Sequence, residues 1–204
     1  MACQLISTIP NAQALKITRF HRESHCPVHG VDDTGQDNCD GCAPAPDGFQ
    51  LISDPEILNM SGKDTARMQT AGASKVRWLR AAPHVFEYAI KRAVKEFDPQ
   101  KPLIVEGNSA ATVKEFQATV IVVWPSNPRG IKESVLPALR RCDLLLYTGE
   151  DGELPSSLLS YLEMNGLKPT ELAKKFRISA NQTDDELLEH VEWFQELHKI
   201  TQLG

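Results

Sequence analysis

Short apolar runs alternate with stretches whose apolar residues recur every three or four positions, and this rhythm governs residues 12 to 149. "AQALKITRF" (12–20), "FQLIS" (49–53) and "KVRWLRA" (75–81) read as strands. "PLIVEG" (102–107), "ATVIVVW" (118–124) and "DLLLYTG" (143–149) are continuous apolar runs, the pattern of strands buried on both faces. Between them lie helical stretches. "GKDTARMQTAGA" (62–73) ends at Gly72, "PHVFEYAIKRAVKEF" (83–97) opens on Pro83, and "IKESVLPALRR" (131–141) is interrupted by Pro137. Strand–helix–strand alternation of this kind predicts an α/β fold with a mostly parallel sheet.

After "GEDGELP" the strands stop. Three helices are predicted, over 155–165, 169–177 and 183–200, with Gly166 and Pro169 separating the first two. Thr183 with Glu186 three residues on forms a capping box for the last. A boundary near residue 152 therefore divides an α/β domain (1–152) from a helical domain (153–204). "SLLSYLEMNGLKPTELAKKFRIS" (157–179) has the look of the first part of a helix-turn-helix, but the helix that would enter a DNA groove, "TDDELLEHVEWFQELHKI", is acidic and would be repelled. Leu187, Leu188, Val191, Phe194, Leu197 and Ile200 form its packing stripe, and Trp193 falls outside it, free to meet another protein surface.

Charge sharpens the picture. The 204 residues carry a formal charge of −5, and all of that excess lies beyond residue 180, where six acids face Lys199 alone. A neutral body with an acidic tail argues against general nucleic-acid binding, which needs clustered Lys and Arg. No apolar run approaches the roughly 20 residues a membrane span requires, and "MACQLISTIPNAQ" lacks the charged start of a secretory signal. The expectation is a cytoplasmic protein, in which cysteine pairs more often hold metal than form disulfides.

One segment departs from the rhythm. "CPVHGVDDTGQDNCDGC" (26–42) places Cys26 and His29 as C-x2-H and Cys39 and Cys42 as C-x2-C inside a Gly/Asp-rich loop. Such a loop has almost no apolar surface with which to order itself. Two ligand pairs at knuckle spacing can close a tetrahedron around Zn2+, and a site with four protein ligands is structural because no position stays open for water. His21 and His25 are alternative fourth ligands, and an iron–sulfur cluster is the competing chemistry, though it more usually uses a fourth cysteine. Cys3 and Cys142 sit among apolar neighbours and read as packed thiols, and His190 and His198 as helix-surface residues.

Two further stretches carry chemistry. Glu106 ends a predicted buried strand, followed by Gly107-Asn108-Ser109, at the place where open α/β sheets bind ligands; a carboxylate there suits Mg2+ or its water. Lys63, Asp64, Thr65 and Arg67 open a predicted helix, where amide donors and cations suit a phosphate.

Taken in order, "ALKITRFHRESHCPVHG…CDGC", "GKDTARMQTAGASKVRWLRA" and "LIVEGNSA" resemble the molybdopterin-guanine dinucleotide biosynthesis protein B family, over residues 3 to about 150. The closest likeness is to a branch with a cysteine-bearing insertion after the second strand. That family comprises small P-loop GTPase-like proteins accessory to attaching GMP to molybdenum cofactor. The resemblance implies a P-loop NTPase type of sheet, GTP and Mg2+ as ligands, and a site built from Lys63, Asp64, Arg67, Glu106 and Asn108. In it Glu106 matches the acid of the Walker-B-like strand, and Asp64 and Arg67 match "GKD-x-x-R". Implied partners are the guanylyltransferase of the pathway and a molybdoenzyme or its chaperone; a homodimer is compatible with the sequence. The departure is as informative as the match. The family's first strand and its G-x-x-x-x-G-K-[ST] loop are missing, and residues 1–20 begin where the following helix should already be under way. Three explanations fit: amino-terminal truncation, a P-loop on a separate polypeptide, or a fold repurposed without hydrolysis. Each predicts weak or absent GTPase activity, and a sheet short of a central strand. The alternative function is a non-catalytic zinc-containing adaptor that keeps the nucleotide fold as scaffold.

Overall fold

A computed structural model describes residues 2–19, 47–113, 120–124, 131–147, 154–168 and 175–177. The chain divides into two compact units, Met1–Ala110 and Ala111–Gly204.

The first unit is built on a four-stranded sheet in the order β2-β3-β1-β4, from β1 (Gln13–Arg19), β2 (Phe49–Ile52), β3 (Lys75–Ala81) and β4 (Leu103–Glu106). β1 runs parallel to β3 and β4, and β2 adds antiparallel to β3. The vacancy expected from a missing first strand does not occur among the described strands. β1 pairs with β3 over Gln13–Arg19 and with β4 over Gln13–Lys16, so it has a strand neighbour on each side.

Each face of the sheet is defined by the period-2 alternation. Ala14 and Val76 lie under Ile6 of α1 (Ala2–Thr8) and Met68 of α3 (Asp64–Thr70), and the partly buried Ile104 packs beside them. Ile52 and Trp78 pack with Leu58 of α2 (Pro55–Leu58). Leu15, Ile17 and Leu79 alternate to the opposite face and are equally buried. α4 (Phe86–Val94), entered through a 3-10 turn at Pro83–Val85, packs against β3 and β2 and buries Phe86, Ala89, Ile90 and Ala93, one stripe at helical spacing. Gln13 is a buried polar residue whose amide is engaged at both its nitrogen and its oxygen. Its Nε2 donates to the Asp98 carbonyl at 2.9 Å and its Oε1 accepts from the Asp98 N–H at 3.0 Å, tying the start of β1 to the turn before β4.

Local chemistry sets the ends of the helices around the sheet. Asp54 caps α2, accepting from the Glu56 N–H at 2.9 Å, with Pro55 in the first helical position where its missing N–H costs nothing. α3 ends in a Schellman motif. The Ala73 N–H reaches the Met68 carbonyl, the Gly72 N–H reaches Gln69, and Gly72 takes φ +98° as the left-handed residue. Thr65 donates to the Leu58 carbonyl at 2.7 Å in a buried bond, which fixes the first turn of α3 to the end of α2.

The second unit contains a parallel sheet in the order β5-β6-β7, from β5 (Ile121–Trp124), β6 (Leu144–Tyr147) and β7 (Lys175–Arg177). Its core joins Trp124, Leu139, Leu145 and Tyr147 to Leu158 and Leu162 of α6 (Ser156–Met164). Trp124 also donates to Ser157 Oγ at 3.1 Å and packs on the Tyr161 ring, centroids 5.4 Å apart.

Several expectations change here. The first tail helix forms as α6, but it belongs to the core of the second unit, so the units part at Ala110/Ala111 and not near residue 152. The second tail helix, expected over 169–177, is not helical at 175–177. Those residues form β7 because β6 offers it a row of backbone partners, from Leu145↔Lys175 to Tyr147↔Arg177, and pairing overrides the local helical pattern. A helix-turn-helix reading does not survive that strand. The third tail helix lies outside the described residues. Pro137 does not interrupt a helix either. α5 (Val135–Arg140) starts two residues before it, placing the proline in the first turn, where backbone N–H groups have no intrahelical acceptor. The result is an α/β architecture with mostly parallel sheets. No helix among the described residues is long and apolar enough to cross a membrane.

Candidate functional site

The candidate site is a charged cluster where β1, β4 and α3 meet. Lys16 lies on β1 directly opposite Glu106, the last residue of β4, so the parallel register sets both side chains on one face of the sheet. α3 crosses the same face, and its first residue is Asp64. The Lys16 ammonium donates to Asp64 Oδ2 at 2.8 Å and pairs with Glu106 Oε2. Arg67, one turn on in α3, stands 4.0 Å from Asp64 Oδ1. The cluster is graded from inside to outside: the Lys16 side chain is 19% exposed, Glu106 35%, Asp64 50% and Arg67 70%. Glu106 Oε2 is sealed from solvent, and the ammonium is the group that faces it.

This geometry controls protonation. Burial pulls the Lys16 ammonium down, but hydrogen bonds to Asp64 and Glu106, with their charges, outweigh it and hold Lys16 above its ordinary value. The bond from Lys16 holds the Asp64 carboxyl below the usual carboxylate value; partial burial opposes this, and the charges of Lys16 and Arg67 add to it. Lys16 and Asp64 are therefore charged near neutrality. By formal charge, two carboxylates against one ammonium leave the inner cluster with one net negative charge.

Gly107 sets the path of the chain beyond Glu106. It takes φ +143°, and a Cβ there would lie 2.9 Å from the Ile17 carbonyl oxygen. Only glycine permits the chain to leave β4 this close to β1.

Of the expected site residues, Asp64, Arg67 and Glu106 come together. Lys63 is the residue before α3, in extended conformation. Asn108 opens the 3-10 turn Asn108–Thr112, and no described hydrogen bond joins it to the cluster. The expectation of a phosphate on the amide end of α3 is weakened, because Asp64 already places a carboxylate in that first turn. Lys16 is the member that the motif reading overlooked. Its signal was a lone lysine inside the apolar run "ALKIT", on the period of Ala14 and Thr18. An open depression of about 650 Å³, lined in part by Cys3, Asn59, Ser61 and Arg67, shares only Arg67 with the cluster.

The donor set suits a hard cation. Asp64 and Glu106 present carboxylate oxygens to one positive centre, and Mg2+ is commonly held by one or two carboxylates, with water or phosphate completing its shell. Among the described residues no group of three or more His, Cys, Asp or Glu is placed to hold a metal by itself. Cys26, His29, Cys39 and Cys42, the expected zinc ligands, lie outside the described residues. Comparison of the chain with protein-family models, with curated proteins and with solved structures returns no match.

Proposed function

We propose that this protein is an accessory factor of molybdenum-cofactor maturation, acting beside the guanylyltransferase that forms molybdopterin guanine dinucleotide, and that it engages Mg2+ and a guanine nucleotide while hydrolysing it slowly or not at all. The observation that carries this reading is the convergence of Asp64 and Glu106, from two separate motifs, on one cation at the end of β4. Mg2+, when bound, would supply charge neutralisation for nucleotide phosphates, with Asp64 and Glu106 as its protein ligands and Arg67 as an outer cation. The described residues offer no glycine-rich cradle for the phosphates, which is the reason to expect little hydrolysis. In this reading Zn2+ on Cys26, His29, Cys39 and Cys42 orders the loop after β1. The acidic carboxyl-terminal segment meets the guanylyltransferase or a molybdoenzyme chaperone, and the protein works in the cytoplasm.

A second reading is favoured by one feature. The Lys16 ammonium already forms an ion pair with both carboxylates, as it would in a zinc-containing adaptor that uses the sheet only as a scaffold. Titration with Mg-GTP separates the two. Micromolar affinity that weakens in Glu106→Ala, with turnover near the uncatalysed level, supports the nucleotide reading. A folded protein that binds no nucleotide up to millimolar concentration supports the adaptor.

A further inference from the structure

We infer that Lys16 is the phosphate-contacting cation of this site, held between Asp64 and Glu106 when no ligand is present and handed to the phosphate when Mg2+ takes its place. The inference rests on the nucleotide reading above and assigns a role to a residue outside the motifs that suggested it.

Three observations lead to it. First, the sequence has no G-x-x-x-x-G-K-[ST] loop, so any phosphate bound here needs its principal cation from elsewhere. Second, Lys16 is the most enclosed charge of the cluster, on a strand paired along both edges, and so is fixed at its base. The stem is flexible and the ammonium compact, with three donors that can be re-aimed without moving the backbone. Third, the charge balance favours exchange. With Lys16 between them, Asp64 and Glu106 retain one net negative charge, which attracts a divalent cation. Once a doubly charged ion shares those carboxylates, the inner cluster carries one net positive charge, and the displaced ammonium is repelled by the metal and drawn to an anion. A phosphate bridging Mg2+ and Lys16 meets both demands. Arg67, 70% exposed and beyond Asp64, is placed as an outer contact rather than an alternative to Lys16.

The test compares the full-length wild-type chain with Lys16→Met in two measurements. In the first, fluorescent GDP is titrated with Mg2+ present. Lys16→Met is expected to bind at least ten-fold more weakly than wild type. In the second, the thermal midpoint is followed against MgCl2 alone. Mg2+ is expected to raise the midpoint more in Lys16→Met than in wild type, because the carboxylates no longer hold an ammonium that must be displaced. This second readout needs no nucleotide, and Lys16→Gln replaces the methionine variant if circular dichroism shows that methionine loosens the fold. Wild-type binding with an unchanged affinity in the variant overturns the role of Lys16 and leaves the nucleotide reading standing. An equal Mg2+ response in both proteins overturns the exchange. Absence of GDP binding by wild type overturns the nucleotide reading, and this inference with it.

Discussion

Gly107→Ala tests the way the chain delivers Glu106 to Lys16. The new Cβ would meet the Ile17 carbonyl oxygen at 2.9 Å and the Ile17 Cβ at 3.2 Å, both on the central strand, where little can move. Two penalties combine. Holding alanine at φ +143° costs about 1–3 kcal/mol, and forcing β1 and the loop apart costs about 1–3 kcal/mol more. The narrower unfolded ensemble of alanine returns only about 0.4–1 kcal/mol. The net loss should be about 1–5 kcal/mol, centred on about 3 kcal/mol. Gly72→Ala is the internal control. Gly72 also has positive φ, at +98°, but nothing lies within 4 Å of its Cβ position, so it should lose about 1 kcal/mol from conformation alone. Urea unfolding followed by circular dichroism measures both. If Gly107→Ala loses no more than Gly72→Ala, to within about 0.5 kcal/mol, the close approach of the two strands is wrong and so is the placement of Glu106.

The remaining predictions concern charge, metal and core. The bond from Lys16 lowers the Asp64 value below the ordinary 3.8, so its stabilisation is fully present above that pH and is lost as pH falls through the lower folded value. Acid titration of Asp64→Asn should therefore show a shallower loss of stability below about pH 4, and an unchanged acid limb would contradict the pairing. Lys16, raised above its ordinary 10.5, behaves in the opposite sense: its contribution is complete below that pH and disappears as pH rises through the higher folded value, a loss that Lys16→Met should abolish. Metal analysis of the purified protein should find about one zinc per chain, lost in the double variant Cys39→Ser, Cys42→Ser; less than about half an equivalent in wild type would refute the zinc loop. Leu145→Ala, at a site with no solvent exposure in the core of the second unit, should cost about 2–5 kcal/mol in denaturant unfolding, and a loss below about 1 kcal/mol would mean that this core is not packed as described.

Elements dominated by local pattern were legible in the sequence. β3 spans the expected residues 75 to 81, because "KVRWLRA" combines strand-forming residues with a preceding Gly-containing turn. α4 forms where apolar residues recur at helical spacing behind Pro83. The carboxylate at the end of an apolar strand was found for the same local reason, and Glu106 is the final residue of β4. Features that depend on distant pairing were not legible. β7 exists because β6 presents an edge, which its own residues do not announce. Among the described strands the first sheet has no vacant position, because β1 lies between β3 and β4. Lys16 was overlooked because its importance is set by register: only when β1 lies beside β4 does it face Glu106, and Asp64 meets it because the buried Thr65 bond and the packing of Met68 hold α3 on that face. Sequence identified the two acids as separate motifs, and the fold supplied the cation that joins them.

A double-mutant cycle on Lys16 and Glu106 measures that junction directly. Stabilities of wild type, Lys16→Met, Glu106→Gln and the double variant give the coupling free of each side chain's other contacts. Because the lysine is mostly enclosed and the Glu106 oxygen facing it is sealed from solvent, the coupling should reach about 1 kcal/mol or more, above the range of fully exposed pairs. Effects that add to within about 0.3 kcal/mol would mean that the two groups do not interact, and the site would lose the cation on which its carboxylates converge.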